Sequence, residues 1–101
     1  MHPEATWYLV CYDIRDDAIR TRVYKTLRGF GTHLQYSVFR CALTPKRLAQ
    51  LRWFLEEAIQ PRTDQVMLVR LGNANRDDAW RAIVVGRPLP PMRRGARILG
   101  D

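Results

Sequence analysis

The 101 residues, 47% apolar and 27% charged, suffice for one compact domain and leave no room for two. Seventeen Lys and Arg against ten Asp and Glu give a formal charge of +7, which favours a phosphate-rich or otherwise anionic partner. No apolar run approaches the ~20 residues that span a bilayer, and Met1-His2-Pro3-Glu4 lacks the basic start and apolar stretch of a secretory signal, so the expectation is a soluble, cytoplasmic protein with no membrane partner.

Trp7 to Ile14 (WYLVCYDI) is rich in aromatic and β-branched residues and reads as a strand. Trp7, Leu9 and Cys11 fall on one face and Tyr8, Val10 and Tyr12 on the other. A strand apolar on both faces is usually central and covered from both sides. Asp13 breaks this pattern. Asp16 or Asp17 is placed to cap a helix running to about Arg28, where Gly29 and Gly31 stop it. Ile19, Val23 and Leu27 form its apolar stripe, and at about 100° per residue Arg22, Lys25 and Arg28 lie on the opposite arc as a basic ridge.

Thr32 to Leu43 (THLQYSVFRCAL) alternates as a second, longer strand. Thr44-Pro45, a capping hydroxyl followed by proline at the first helical position, starts a second helix to about Gln60. That helix buries Leu48, Leu51, Leu55, Ala58 and Ile59 and leaves Trp53 pointing away, toward another chain or the C-terminal arm. Gln65 to Leu71 is a third strand, Asp77 to Trp80 one helical turn, and Ala82 to Gly86 (AIVVG) a fourth strand. The order is taken as βαββαβ, the α+β, ferredoxin-like class with a four-stranded antiparallel sheet and both helices on one face. A single domain over 1–101 then has its core at about 7–87 and an arm at about 88–101, whose Pro88-Leu89-Pro90-Pro91 spacer leads to Arg93-Arg94 and an extra β-like strand, Ala96 to Leu99. The helix-free sheet face still carries apolar residues, and a second copy packed sheet to sheet in a two-fold homodimer would cover it.

Cys11 and Cys41 sit inside apolar runs and read as reduced, buried thiols. The sequence holds no nucleophile elbow, HExxH helix, Walker loop or Cys-x-x-Cys pair. Arg28-Gly29-Phe30-Gly31 copies the opening of an RNA-recognition motif, but the strands lack the aromatic platform such a domain needs. His33 reads as a surface or interface residue. Asp13 is the best single candidate for chemistry, and two readings stand beside each other. In one, Asp13 from each copy of a dimer faces its twin; at about 4 Å the repulsion is roughly 4 kcal/mol at an effective dielectric of 20, which a shared divalent cation would relieve. In the other, Asp13 only caps the first helix.

Tyr12-Asp13-Ile14 closing the first strand, Asp16-Asp17 with Arg20 and Arg22 in the first helix, Gly31, and Gln35-Tyr36-Ser37-Val38-Phe39 together resemble the CRISPR-associated protein 2 family. Thr44-Pro45 with Leu48, and Val84-Val85-Gly86-Arg87-Pro88, add to a resemblance covering Trp7 to Leu99. It implies ferredoxin-like homodimers that act as metal-dependent endonucleases on RNA or duplex DNA and form the central dimer between integrase subunits in spacer acquisition. Carried over residue by residue, Tyr12 and Asp13 match the catalytic pair, Arg20 and Arg22 the helix arginines, and Phe39 the second-strand aromatic. His33 stands where some members have a basic residue.

The expected function is therefore a Mg²⁺-dependent endonuclease, with Mn²⁺ as a substitute metal, acting in CRISPR antiviral defence. Asp13 binds metal, Tyr12 and Phe39 shape the catalytic site, and Arg15, Arg20, Arg22, Arg93 and Arg94 hold nucleic acid. The alternative is a non-catalytic DNA-binding scaffold dimer that bridges integrase subunits.

Overall fold

The computed structural model describes residues 4–76 and 82–91. Strand β1 (Thr6–Asp13) leads into helix α1 (Asp17–Arg28); β2 (Gly31–Gln35) and β3 (Val38–Leu43) follow, then α2 (Pro45–Ala58) and β4 (Gln65–Asn73). The βαββαβ order expected from the sequence is present. The strands lie side by side as β2-β3-β1-β4, with every neighbouring pair antiparallel. β1 is thus hydrogen-bonded along both edges, which suits its run of aromatic and β-branched residues.

Alternation along β1 sorts its side chains onto two faces. Tyr8, Val10 and Tyr12 enter one core with Val23 and Leu27 of α1, Leu51 and Leu55 of α2, and Phe39, Cys41 and Leu43 of β3. Both helices therefore cover the same face. The opposite face carries half-buried Leu9 and Cys11 on β1, in register with the exposed Val69 and Met67 of β4. Trp7 also lies there, buried, with the Arg40 guanidinium 4.0 Å from its ring centroid. Burial lowers the Arg40 pKa to about 10, so it stays charged at neutral pH.

Local signals set the helix boundaries. The Asp16 carboxylate accepts the Ile19 N–H at 2.9 Å as N-cap of α1, and Gly29 follows its last turn. Thr44 Oγ1 accepts the Arg47 N–H at 3.2 Å, with Pro45 in the first helical turn of α2. Gly31 opens β2 against β3: a Cβ there would meet the Arg40 carbonyl oxygen at 2.3 Å and Cys41 Sγ at 2.6 Å, so only glycine allows this approach. Trp53 stands outside the buried stripe of α2 and packs edge-on against Phe54.

Two strand expectations are corrected. The single strand expected over Thr32 to Leu43 is two strands joined by a turn at Tyr36 and Ser37. The alternation continues through that turn because the fold bends there without a glycine; Tyr36 takes φ 40. The strand expected over Ala82 to Gly86 is not formed: residues 82–85 belong to no strand or helix, and Ile83 and Val85 are almost fully exposed. Splitting the earlier strand already supplies four, and β4 runs on to Asn73 beside β1. Residues 84–90 instead pass alongside β2, where Val84, Val85 and Pro88 line a cleft with Leu34 and Gln35. The helical turn expected at Asp77 to Trp80, the arginines Arg93 and Arg94, and the strand at Ala96 to Leu99 lie outside the described residues.

Both cysteines are free, but they differ: Cys41 is fully buried, with burial pushing its thiol to about 12, whereas Cys11 is half-buried on the open sheet face. Among the described residues, no helix is long and apolar enough to cross a membrane. The core predicts its own weak point. Leu27, fully buried between the sheet and α2, should cost about 2–5 kcal/mol when cut to Ala, measured as a lowered urea midpoint at unchanged slope.

Candidate functional site

Asp13 is the last residue of β1, opposite Gln65 in register, and its side chain leaves the strand on the face of Leu9 and Cys11. It is exposed, and among the described residues no side chain pairs with its carboxylate. The capping reading of Asp13 is excluded, because Asp16 caps α1. Asp17 is also engaged: it accepts from Arg20 Nη2. Three nearby acids therefore have three separate situations, and only Asp13 keeps its oxygens for a ligand.

Arg20 ties the β1–α1 connection together. Its Nη1 donates to the carbonyls of Ile14 and Arg15, 3.1 Å each, while Nη2 holds Asp17. These three bonds leave two of the five guanidinium donors for a ligand. Arg15 and Arg22 are exposed, and Lys25 and Arg28 extend the basic ridge expected on α1.

Tyr12, one residue before Asp13, points the opposite way into a cleft of about 420 Å³ on the helix side of the sheet. Arg20, Thr21 and Tyr24 of α1 and Tyr36 and Ser37 of the β2–β3 turn complete its lining. The Tyr12 N–H donates to the Ser37 carbonyl at 3.1 Å, which fastens the turn to the end of β1. Burial raises the Tyr12 pKa, Tyr24 adds to the rise, and Arg20 opposes it. The phenol is therefore protonated at neutral pH.

Phe39 has no exposed surface. It packs beneath the cleft against Tyr24 at 5.5 Å, His33 at 4.9 Å and Tyr12 at 6.4 Å between ring centroids, so it supports the site by packing and does not reach a ligand. His33 is held edge-on to Tyr24 at 5.2 Å, with Nε2 2.6 Å from the Tyr36 carbonyl. A carbonyl only accepts, so that nitrogen carries the proton. The structure thus brings Tyr12, Arg20 and the Phe39 support together, puts Asp13 across the strand from them, and leaves Arg15 and Arg22 on the surface. Sequence reasoning did not single out Tyr24 and Tyr36; the run Gln35 to Phe39 contained Tyr36, but only recognition of a turn there would have marked it as exposed.

A metal would find few protein ligands here. Among the described residues no three His, Cys, Asp or Glu cluster. One free carboxylate fits Mg²⁺, which keeps several waters and often takes one or two protein oxygens.

Arg20 yields a structural prediction. Arg20→Ala should lower stability by about 1 kcal/mol through loss of the loop carbonyl bonds, and Arg20→Lys should not restore it because an ammonium cannot reproduce the fork. Urea unfolding of the three proteins checks this.

A family model described as CRISPR associated protein Cas2 matches residues 6–79. The chain is 44% identical over 66 residues to the CRISPR-associated endoribonuclease Cas2 2 of Thermodesulfovibrio yellowstonii, covering 65% of this chain and 72% of that one. It is 34% identical to the CRISPR-associated endoribonuclease Cas2 of Geobacter sulfurreducens, over 91% of this chain and 96% of the relative. Among solved structures, the hypothetical protein TT1823 of Thermus thermophilus superposes with TM-score 0.74 at 26% identity, covering 88% of this chain and 99% of that one. A chain of a partial Cas6-RT-Cas1–Cas2 complex superposes with TM-score 0.60 at 28% identity, over 73% of this chain and 82% of that one.

Proposed function

The chain belongs to the CRISPR-associated protein Cas2 family, and from that premise we propose that it is a Mg²⁺-dependent endonuclease of nucleic acid that works as a homodimer in CRISPR defence. The observation that carries this reading is the exposed Asp13 carboxylate, unpaired among the described residues, at the tip of the central strand. Relatives named as endoribonucleases support RNA as a substrate; duplex DNA is the second substrate proposed.

The face that carries Asp13 also carries Leu9, Cys11, Met67 and Val69. Pairing two copies through that apolar band would bring both Asp13 carboxylates to the dimer side of the sheet, where like charges favour a shared cation. Asp13 would hold Mg²⁺ through its carboxylate, and the chemistry the ion would supply when bound is a water of lowered pKa and polarisation of a phosphate oxygen. Arg15 and Arg22 hold backbone phosphates, Arg20 orders the loop between Asp13 and α1, and Tyr12 offers a neutral hydroxyl on the far side of the strand. Phe39 keeps Tyr12 and Tyr24 in place. Arg93 and Arg94 would add backbone contacts from the arm.

Asp13→Ala tests the assignment. With labelled RNA and duplex DNA, its cleavage should fall by more than the ~10²–10³-fold lost when a single electrostatic stabiliser is removed, while the dimer and nucleic-acid binding persist. A chelator should match the substitution in the wild type. Undiminished cutting by Asp13→Ala, or by wild type in chelator, overturns the assignment.

A second reading, a DNA-holding scaffold between integrase subunits, is favoured by one contrast: of the three acids Asp13, Asp16 and Asp17 around the β1–α1 connection only Asp13 is unpaired among the described residues, whereas α1 carries an exposed row of Arg22, Lys25 and Arg28. The resemblance to a chain of a Cas1–Cas2-containing assembly supports such a partner. Under this reading Asp13→Ala leaves function intact, and affinity for duplex DNA falls with salt at a log–log slope of about −0.9 per phosphate neutralised. Arg22→Ala should reduce that slope by about one phosphate contact. A flat salt dependence would exclude both nucleic-acid readings and favour a small metabolite-binding domain.

A further inference from the structure

Tyr36 is the most unusual side chain of the described structure. A large aromatic residue occupies a turn at φ 40, a region that glycine or asparagine adopts more readily, and its side chain is 89% exposed. Nothing in the core requires the ring, and the backbone strain persists because the surroundings hold it. His33 Nε2 donates to the Tyr36 carbonyl at 2.6 Å, and Tyr12 N–H donates to the adjoining Ser37 carbonyl at 3.1 Å. His33 is itself fixed between Tyr24 and Phe39. The turn is pre-organised, and it presents an aromatic ring to solvent at the lip of the cleft that Tyr12, Tyr24 and Arg20 line.

The chemistry of that cleft is narrow. Three tyrosines offer flat apolar surface with hydroxyls at their tips, and Arg20 adds spare donors for an anion. The volume, about 420 Å³, lies at the small end of ligand sites. A protein of charge +7 attracts polyanions, and the ligand that combines an aromatic plane with a phosphate is a nucleotide. Bases inside a duplex have their faces occupied by stacking, whereas an unpaired base has a free face for an aromatic side chain.

We propose that Tyr36 is a stacking platform for one unpaired nucleobase, seated at the mouth of the Tyr12–Tyr24–Arg20 cleft, which gives the protein a preference for single-stranded over duplex substrate. This rests on the nucleic-acid reading above and adds to it a base-holding site separate from Asp13. Tyr36 is a binding residue here and takes no part in bond breaking.

The test measures binding, without divalent metal, of the full-length chain to three fluorescent probes of equal length: single-stranded RNA, an abasic ribose-phosphate strand, and duplex DNA. Tyr36→Ala should weaken single-stranded RNA binding by about 5- to 100-fold, the usual range for one lost base stack, and Tyr36→Phe and Tyr36→Trp should hold within about threefold. Affinity for the abasic strand and the duplex should be unchanged. Tyr36→Gly removes the ring while suiting the φ of the turn, so it must repeat the alanine result in a protein whose fold is relieved, not stressed. Equal RNA affinity of wild type and Tyr36→Gly overturns the proposal. An equal loss on all three probes does so as well, since the ring would then act on the fold or on backbone contacts. A change in sedimentation from dimer to monomer on removing the ring overturns it in favour of a subunit contact. Failure of Asp13→Ala to stop cleavage leaves this proposal standing, whereas failure of the wild type to bind any probe sinks both.

Discussion

The site depends on the two-residue period of β1. Tyr12 and Asp13 are consecutive, so one enters the core side and the other leaves on the open face. What holds that division in place is the burial of Tyr8, Val10 and Tyr12, each contributing about 1.5–3 kcal/mol. A slip of one residue would expose all three and drive a carboxylate into the core. Pairing on both edges of β1 makes such a slip still less accessible, because two registers would have to break together. The position of the acid is a by-product of aromatic packing behind it.

The same economy governs the arginines. A count of 17 cations suggests a surface uniformly ready for phosphate, but the structure divides them by what their donors already hold. Arg20 spends three bonds on the connection after β1, and Arg40 is buried over Trp7. Arg47 lies 4.2 Å from the Phe30 ring centroid and donates to Gln50. Arg28 donates to the Tyr24 hydroxyl at 3.1 Å, which leaves exposed Arg15 and Arg22, with Lys25, facing solvent near the candidate site. Phosphate affinity should therefore follow the few arginines whose neighbours do not use them, and the overall charge should govern encounter more than grip.

Both helix caps and the two faces of β1 were legible because each has a local cause: a capping side chain, a proline at a helix start, a period of two. The β2–β3 turn was not. Thr32 to Leu43 alternates without interruption, and the residue that turns the chain is a tyrosine in a conformation usually given to glycine. Ala82 to Gly86 failed for the complementary reason: its β-branched residues have strand propensity, but propensity does not supply a pairing partner. The candidate site was legible to the same degree. Asp13 and Tyr12 stood out in β1, and Asp16 as the cap could be weighed from its spacing to Ile19. Phe39 could be placed in the strand but not beneath the cleft, since that depends on α1 bringing Tyr24 over it. Missing the turn meant missing Tyr36.

The unread turn and the readable acid belong to one piece of geometry. Ser37 accepts from Tyr12, so the β2–β3 turn is fastened to the residue that precedes Asp13. Consecutive Cα atoms lie about 3.8 Å apart, which sets the aromatic cleft and the carboxylate on opposite sides of a single strand tip. A polymer that engages both has to pass around that tip, with a phosphate on the open face and a base on the helix side. A rigid duplex keeps its bases stacked inside and cannot present them separately in this way, whereas a flexible single strand can. If the proposed halves operate together, discrimination between the two nucleic-acid forms comes from the thickness of one β-strand, with no need for sequence-reading contacts.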